Sequence, residues 1–197
     1  MKKYSALFFL LIAQPTFTPS AFAAKYDIDQ SHTSIEFKVS HLGISSVRGN
    51  FADVKGEFDF DAKEVEKSSV AAEINVTSID TKNGKRDEHL KSPDFLEEKK
   101  FPTITFKSKK ISKVSDKKFN AAGDLTIHGI TKEVILEVEQ GGVAQDPWGS
   151  ERAAFSATTT IKRKDFGLVW SKTMDNGSLV VGEDVKITLD IEGVKKK

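Results

Sequence analysis

Ser34-Ile35-Glu36-Phe37-Lys38-Val39-Ser40-His41 alternates apolar and polar side chains through its centre. Successive side chains of a strand point to opposite faces, so the stretch predicts a strand with one greasy side and one wet side. The pattern recurs. Phe58 and Phe60 alternate with Glu57, Asp59 and Asp61, and Val70, Ala72, Ile74 and Val76 alternate with Glu73, Asn75 and Thr77. Ile104 and Phe106 follow, then Phe119, Ala121, Gly123, Leu125 and Ile127, then Val134, Leu136 and Val138. Ala153, Phe155, Ala157 and Ile161 form the next set, and Val185, Ile187, Leu189 and Ile191 the last. With Val47 to Phe51 this makes about eight strands. Turn chemistry separates them at His128-Gly129, Gly141-Gly142 and Asn176-Gly177.

The exception lies between Asn83 and Phe101, where Arg86 to Leu90 and Asp94 to Glu98 predict short helical turns, the second preceded by Pro93. The fold class is therefore all-β with a short helical segment. One-sided strands need their apolar face covered, and closure into an antiparallel barrel removes exposed edges. The polar phase is full of lysine and glutamate, too many to pair inside a narrow lumen, so the apolar phase points inward. The mature chain also lacks the aromatic girdles of an outer-membrane barrel.

Lys2 and Lys3, the apolar run Ala6 to Ala13 and Ala21-Phe22-Ala23 read as a secretory signal peptide over 1–23. Residues 24–197 form one predicted barrel domain, exported to the periplasm and not integral to the membrane. The chain has no cysteine, which excludes disulfides, thiol nucleophiles and a lipidated N-terminal cysteine. Beyond the leader, 28 basic residues face 29 acidic ones, interleaved along the chain. Such a balance gives no basic face for nucleic acid.

Small residues share the inward phase with large ones: Ala72, Ala121, Gly123, Ala153, Ala157, Thr159 and Ser108. Two readings are open, an unfilled apolar cavity or a barrel taper that packs solid. The predicted lumen set is Ile35, Phe37, Val39, Phe58, Phe60, Val70, Ala72, Ile74, Ile104, Phe106, Leu125, Ile127, Leu136, Phe155, Ala157 and Phe166.

The segments Asp29 to Ile44, Val47 to Phe51, His89 to Phe95, Phe101 to Ser108, Gly123 to Lys132, Arg163 to Gly167 and Val181 to Ile187 together resemble the YceI-like family, in order along nearly the whole mature chain. The resemblance implies a lipocalin-like eight-stranded antiparallel barrel, capped at one end by the helical segment. It further implies a lumen for a polyisoprenoid, quinone-like or fatty-amide lipid, a homodimer, and no shared catalytic residues. His128 departs from the arginine of some relatives.

His32, His41, His89 and His128 are scattered without metal-ligand spacing, so no metal site and no cofactor other than a bound lipid is expected. His41 continues the inward phase to a strand end, either as a structural histidine or as a contact for a ligand's head group. Arg163 extends the phase of Ala157, Thr159 and Ile161, with two readings: an ion pair with Asp165 at the rim, or a head-group contact. Asp87, Glu88 and His89 are consecutive and cannot converge on one atom of a substrate. No Gly-x-Ser-x-Gly elbow is present. Asn75-Val76-Thr77 matches a glycosylation sequon in mid-strand, which a bacterial-style leader makes irrelevant. The leading reading is a non-catalytic lipid binder. The alternatives are an enzyme using His41, Arg163 and Asp165, and a haem or metal carrier.

Overall fold

The computed structural model describes residues 23–175, 177 and 179–197. The leader up to Phe22, together with Asn176 of the Asn176-Gly177 turn, lies outside the described residues. Among the described residues eleven strands join in one sheet that closes on itself. They amount to eight staves, because three staves are broken in the middle. The first is β1 (Ala24–Ile28) with β2 (Ser34–His41), both antiparallel to the last strand. The second is β3 (Ser45–Phe51) with β4 (Val54–Phe60), and the third is β5 (Ser69–Asn75) with β6 (Ile79–Asp80). Five long strands complete the ring: β7 (Thr103–Lys113), β8 (Lys118–Ile127), β9 (Ile130–Gln145), β10 (Glu151–Lys162) and β11 (Val181–Lys195).

The breaks have local causes. Asp29 accepts hydrogen bonds from the Ser31 amide at 3.0 Å and the Ser31 hydroxyl at 2.6 Å, which folds Gln30–His32 into a 3-10 turn between β1 and β2. Asn75 does the same for the turn Val76–Ser78, accepting from the Thr77 amide and hydroxyl. Short polar side chains compete with the ladder for backbone donors, so they interrupt a strand where apolar alternation alone predicts continuity. Asn75 of the sequon is thus a turn cap at a strand end.

One expected turn is found in place, while another turn and one helical segment differ from expectation. His128 and Gly129 both have positive φ (52° and 72°), the primed geometry of a two-residue hairpin between β8 and β9. Gly141-Gly142, expected as a turn, sits inside β9, where the pairing with β10 slips by one residue opposite Ala154/Phe155. The extra residue is a bulge that lets the long β9–β10 hairpin bend. Gly84–Lys91 is helical (α1), N-capped by Asn83. Asp94 to Glu98 forms turns only, ending at Glu97 with φ 47°.

The α1 segment lies across one end of the barrel. Arg86 donates to the Thr81 hydroxyl at 2.7 Å and the Thr81 carbonyl at 2.8 Å, while Asp87 accepts from the Thr81 amide at 2.9 Å. Leu90 and Leu96 pack against Val76, Ile79, Ile104, Leu125 and Ile127. A helix of eight residues is too short to be stable alone, so this docking holds it. The opposite end is packed by aromatics: Tyr26 stacks on Phe58 at 4.9 Å, and Phe155 meets Phe58, Phe60 and Phe119 edge-on at 5.0 to 6.0 Å.

Candidate functional site

Between the α1 segment and the aromatic end the barrel keeps a cavity of about 280 Å³, with an almost wholly apolar wall. Its openness follows from where the large side chains lie. A methyl group at Gly49 would stand 2.5 Å from Phe37 Cζ, and one at Gly193 would stand 2.4 Å from Phe58 Cε1. The Phe37 ring therefore packs over Gly49 on the adjacent strand, the Phe58 ring reaches across β1 to Gly193 on β11, and glycine at each place leaves room for the ring. Rings folded against the wall leave the axis free.

Fifteen of the sixteen predicted lumen residues line this cavity. Phe166 does not. It is 1% exposed and sits in the cluster of Leu96, Ile127 and Ile161, because Arg163–Phe166 forms a 3-10 turn that ends the alternation of β10 and turns the ring under the cap. Of the small residues, Ala72, Ala121, Ala157 and Thr159 reach the cavity. Gly123 lies beneath the Phe106 ring, Ala153 packs with Tyr26, Phe58 and Phe60, and Ser108 accepts a 2.9 Å hydrogen bond from the Val70 amide. Leu90 of α1, and Phe95, Leu96 and Leu168 of irregular segments, add wall that strand alternation cannot reveal.

His41 and Arg163 come to the same end of the barrel, around Val181. His41 is the register partner of Val181, half-buried, and does not line the cavity. Arg163 is 3% exposed and does line it. Its guanidinium donates to the carbonyls of Gly182 (2.8 Å), Val181 (3.2 Å) and Leu168. The expected ion pair with Asp165 is not formed. Asp165 is exposed, since the 3-10 turn points it outward, and Arg163 instead fastens both ends of the 168–182 connection. Burial lowers the guanidinium pKa and nearby Glu183 opposes that. An arginine stays charged regardless.

The consecutive acid–base residues diverge. Asp87 serves Thr81, Glu88 pairs with Lys91 at 2.6 Å, and His89 contacts Asp94 at 2.9 Å. His89 also lies edge-on to Phe95 and Trp170, at 5.0 and 5.1 Å, which ties the cap to the 168–182 connection. Among the described residues one group brings metal-ligand atoms together, Asp29, His32 and Glu192, all within 4.8 Å. A cation is already there. Arg152 donates to Asp29 at 2.8 Å, to Glu192 at 2.6 Å and to Asp146 at 3.0 Å. The carboxyl pKa of Asp29 is held well below its ordinary value by hydrogen bonds from Ser31, Arg152 and His32. The three residues are 163 positions apart end to end, so spacing gave no sign of them.

Eight antiparallel staves closed around an apolar cavity define the lipocalin-like class of up-and-down barrels. The chain belongs to the YceI-like family, whose domain matches residues 26–193. It is 39% identical to a UPF0312 protein of Ectopseudomonas mendocina, with 98% of each chain covered. It superposes on the YCEI protein of Campylobacter jejuni with a TM-score of 0.70 and 32% identity, covering both chains fully. A polyisoprenoid binding domain from Saccharophagus degradans shares the fold at a TM-score of 0.66 and 13% identity, with 88% of this chain and 99% of that one covered. Among the described residues no helix is long and apolar enough to cross a membrane.

Proposed function

We propose that the protein is a non-catalytic binder of a long-chain apolar lipid, of polyisoprenoid, quinone-like or fatty-amide type, which it carries or stores in the periplasm. The observation that carries this reading is the cavity itself: fifteen inward residues predicted from alternation line one apolar space that side chains leave open. Its length suits a tail. Phe155 to Ile161 along β10 spans about 15 Å of barrel axis after allowing for strand tilt. Each buried methylene contributes about 0.8 kcal/mol, so a long tail binds without any polar anchor. The polyisoprenoid-binding neighbour supports the ligand class, and the basic start with its short apolar run supports export. His41 and Arg163 would tune the choice of head group from the Val181 end. The family resemblance adds a homodimer to the proposal.

The test is native mass spectrometry of the protein recovered from a periplasmic extract, followed by lipid analysis. The expected species begins at Ala24 and carries a lipid that is released unaltered. Turnover of that lipid, or an absorbing cofactor in its place, would overturn the reading.

A further inference from the structure

Where two charged residues face each other across the outer wall of the barrel, they are in most places either opposite in sign or bridged by a counter-charge. Lys25 faces Asp59, Lys118 faces Glu139 and Lys162 faces Asp184, each within ion-pair distance. Two register pairs are acidic on both sides, and each holds a lysine between its carboxylates. Asp27 and Glu57 share Lys196 at 2.9 and 2.7 Å, and Asp124 and Glu133 share Lys109 at 2.6 and 3.4 Å. Like charges directly opposite on a sheet repel, and in both places this chain supplies the counter-charge.

One row breaks the rule. Lys186 on β11 is the register partner of Lys38 on β2, and Lys38 is the partner of Arg48 on β3. The three cations stand side by side on adjacent strands, all exposed. Among the described residues none has a carboxylate within 4.0 Å or a side-chain hydrogen bond. They border a dent of about 150 Å³ in the wall, which Glu36 and the Thr188 side also line. Glu36 lies one step along the same face and leaves the dent with a surplus of two positive charges.

We propose that this row is a binding site for a dianionic oxyanion of the phosphate monoester class, supplied free or at the end of a lipid head group. Neighbouring strands are about 4.8 Å apart, so two ammonium groups and a guanidinium on flexible stems can close on one tetrahedral anion. Thr188, a hydroxyl-bearing residue, also lines the dent. A dianion supplies the counter-charge that Lys196 and Lys109 supply to the two acidic pairs. The site is on the outside of the barrel, separate from the apolar cavity, so it does not rest on the lipid-binding reading.

The test uses thermal unfolding and amide NMR at fixed ionic strength, with inorganic phosphate and then glycerol phosphate as probes against chloride. Phosphate is expected to raise the midpoint of the wild type saturably and to shift amides of β2, β3 and β11. Lys38→Gln removes the middle of the row. It is expected to melt higher than wild type in chloride, through relief of repulsion, and to bind phosphate about tenfold more weakly. Sedimentation with vesicles bearing phosphatidic acid reads the source: retention by those vesicles and not by phosphatidylcholine assigns a lipid-borne monoester, and saturable shifts with glycerol phosphate alone assign a free one. Equal midpoints for wild type and Lys38→Gln in chloride, or shifts spread over all surface lysines without saturation, would overturn the site.

Discussion

The ring of Phe37 lies over Gly49, its register partner on the adjacent strand, so closely that a methyl group at Gly49 would stand 2.5 Å from Phe37 Cζ. The pair is what keeps a phenylalanine in the lumen from filling it. Gly49→Ala must push the ring toward the axis or part the strands, and overpacking of this kind costs about 1 to 3 kcal/mol. Denaturant unfolding should show that loss. Bound lipid measured by mass spectrometry should also fall in the variant that still folds, while unchanged loading would show that the Phe37 ring does not bound the tail's path.

Ala157 faces the cavity from the middle of β10. Ala157→Trp should fill the space and exclude a long tail, at a stability cost of about 1 to 3 kcal/mol. Lys55 is on the opposite face of the wall, outside both the cavity and the row of Lys186, Lys38 and Arg48, and Lys55→Gln should leave tail binding unchanged. Titration of both folded variants with a fluorescent prenyl or acyl probe checks this. Equal affinity in Ala157→Trp and wild type would place the tail elsewhere.

Arg163 holds both ends of the 168–182 connection through three carbonyls. Arg163→Leu should cost about 3 kcal/mol, since carbonyls that accepted from a buried cation lose their partner. Arg163→Lys should rescue only part of it, because one ammonium cannot reproduce the fork of the guanidinium. Chemical denaturation gives the order of the three proteins, and full rescue by lysine would leave the fork without a role.

Asp29 titrates below its ordinary range because Ser31, Arg152 and His32 bond its charged form. A depressed carboxyl adds stability that is complete above its unfolded pKa and is lost as pH falls through the folded one. The contribution should therefore be whole above about pH 4 and fade below it into strong acid. Asp29→Asn should flatten the dependence of melting temperature on pH below 4 and lower the plateau above it. Parallel slopes for variant and wild type would remove Asp29 from the acid response.

Alternation in the sequence was enough to put fifteen side chains on the cavity wall, because the period of a strand does not depend on what it packs against. The YceI-like blocks, in order along the chain, carried the barrel and its cap. Sequence also placed the His128-Gly129 turn, where positive φ at both residues is a local demand. Tertiary structure decided the rest. Phe166 left the lumen when Arg163–Phe166 coiled into a turn, and Gly141-Gly142 became a bulge inside a strand. Arg163 exchanged the expected partner Asp165 for backbone carbonyls, including two from β11. Leu90 entered the wall from the short α1, and Phe95 and Leu168 from segments with no period to read. The physical reason is the same throughout: a strand's faces are fixed by its own backbone, whereas the partner of a buried charge, the resting place of a ring and the meeting of Lys186, Lys38 and Arg48 depend on which strands lie side by side.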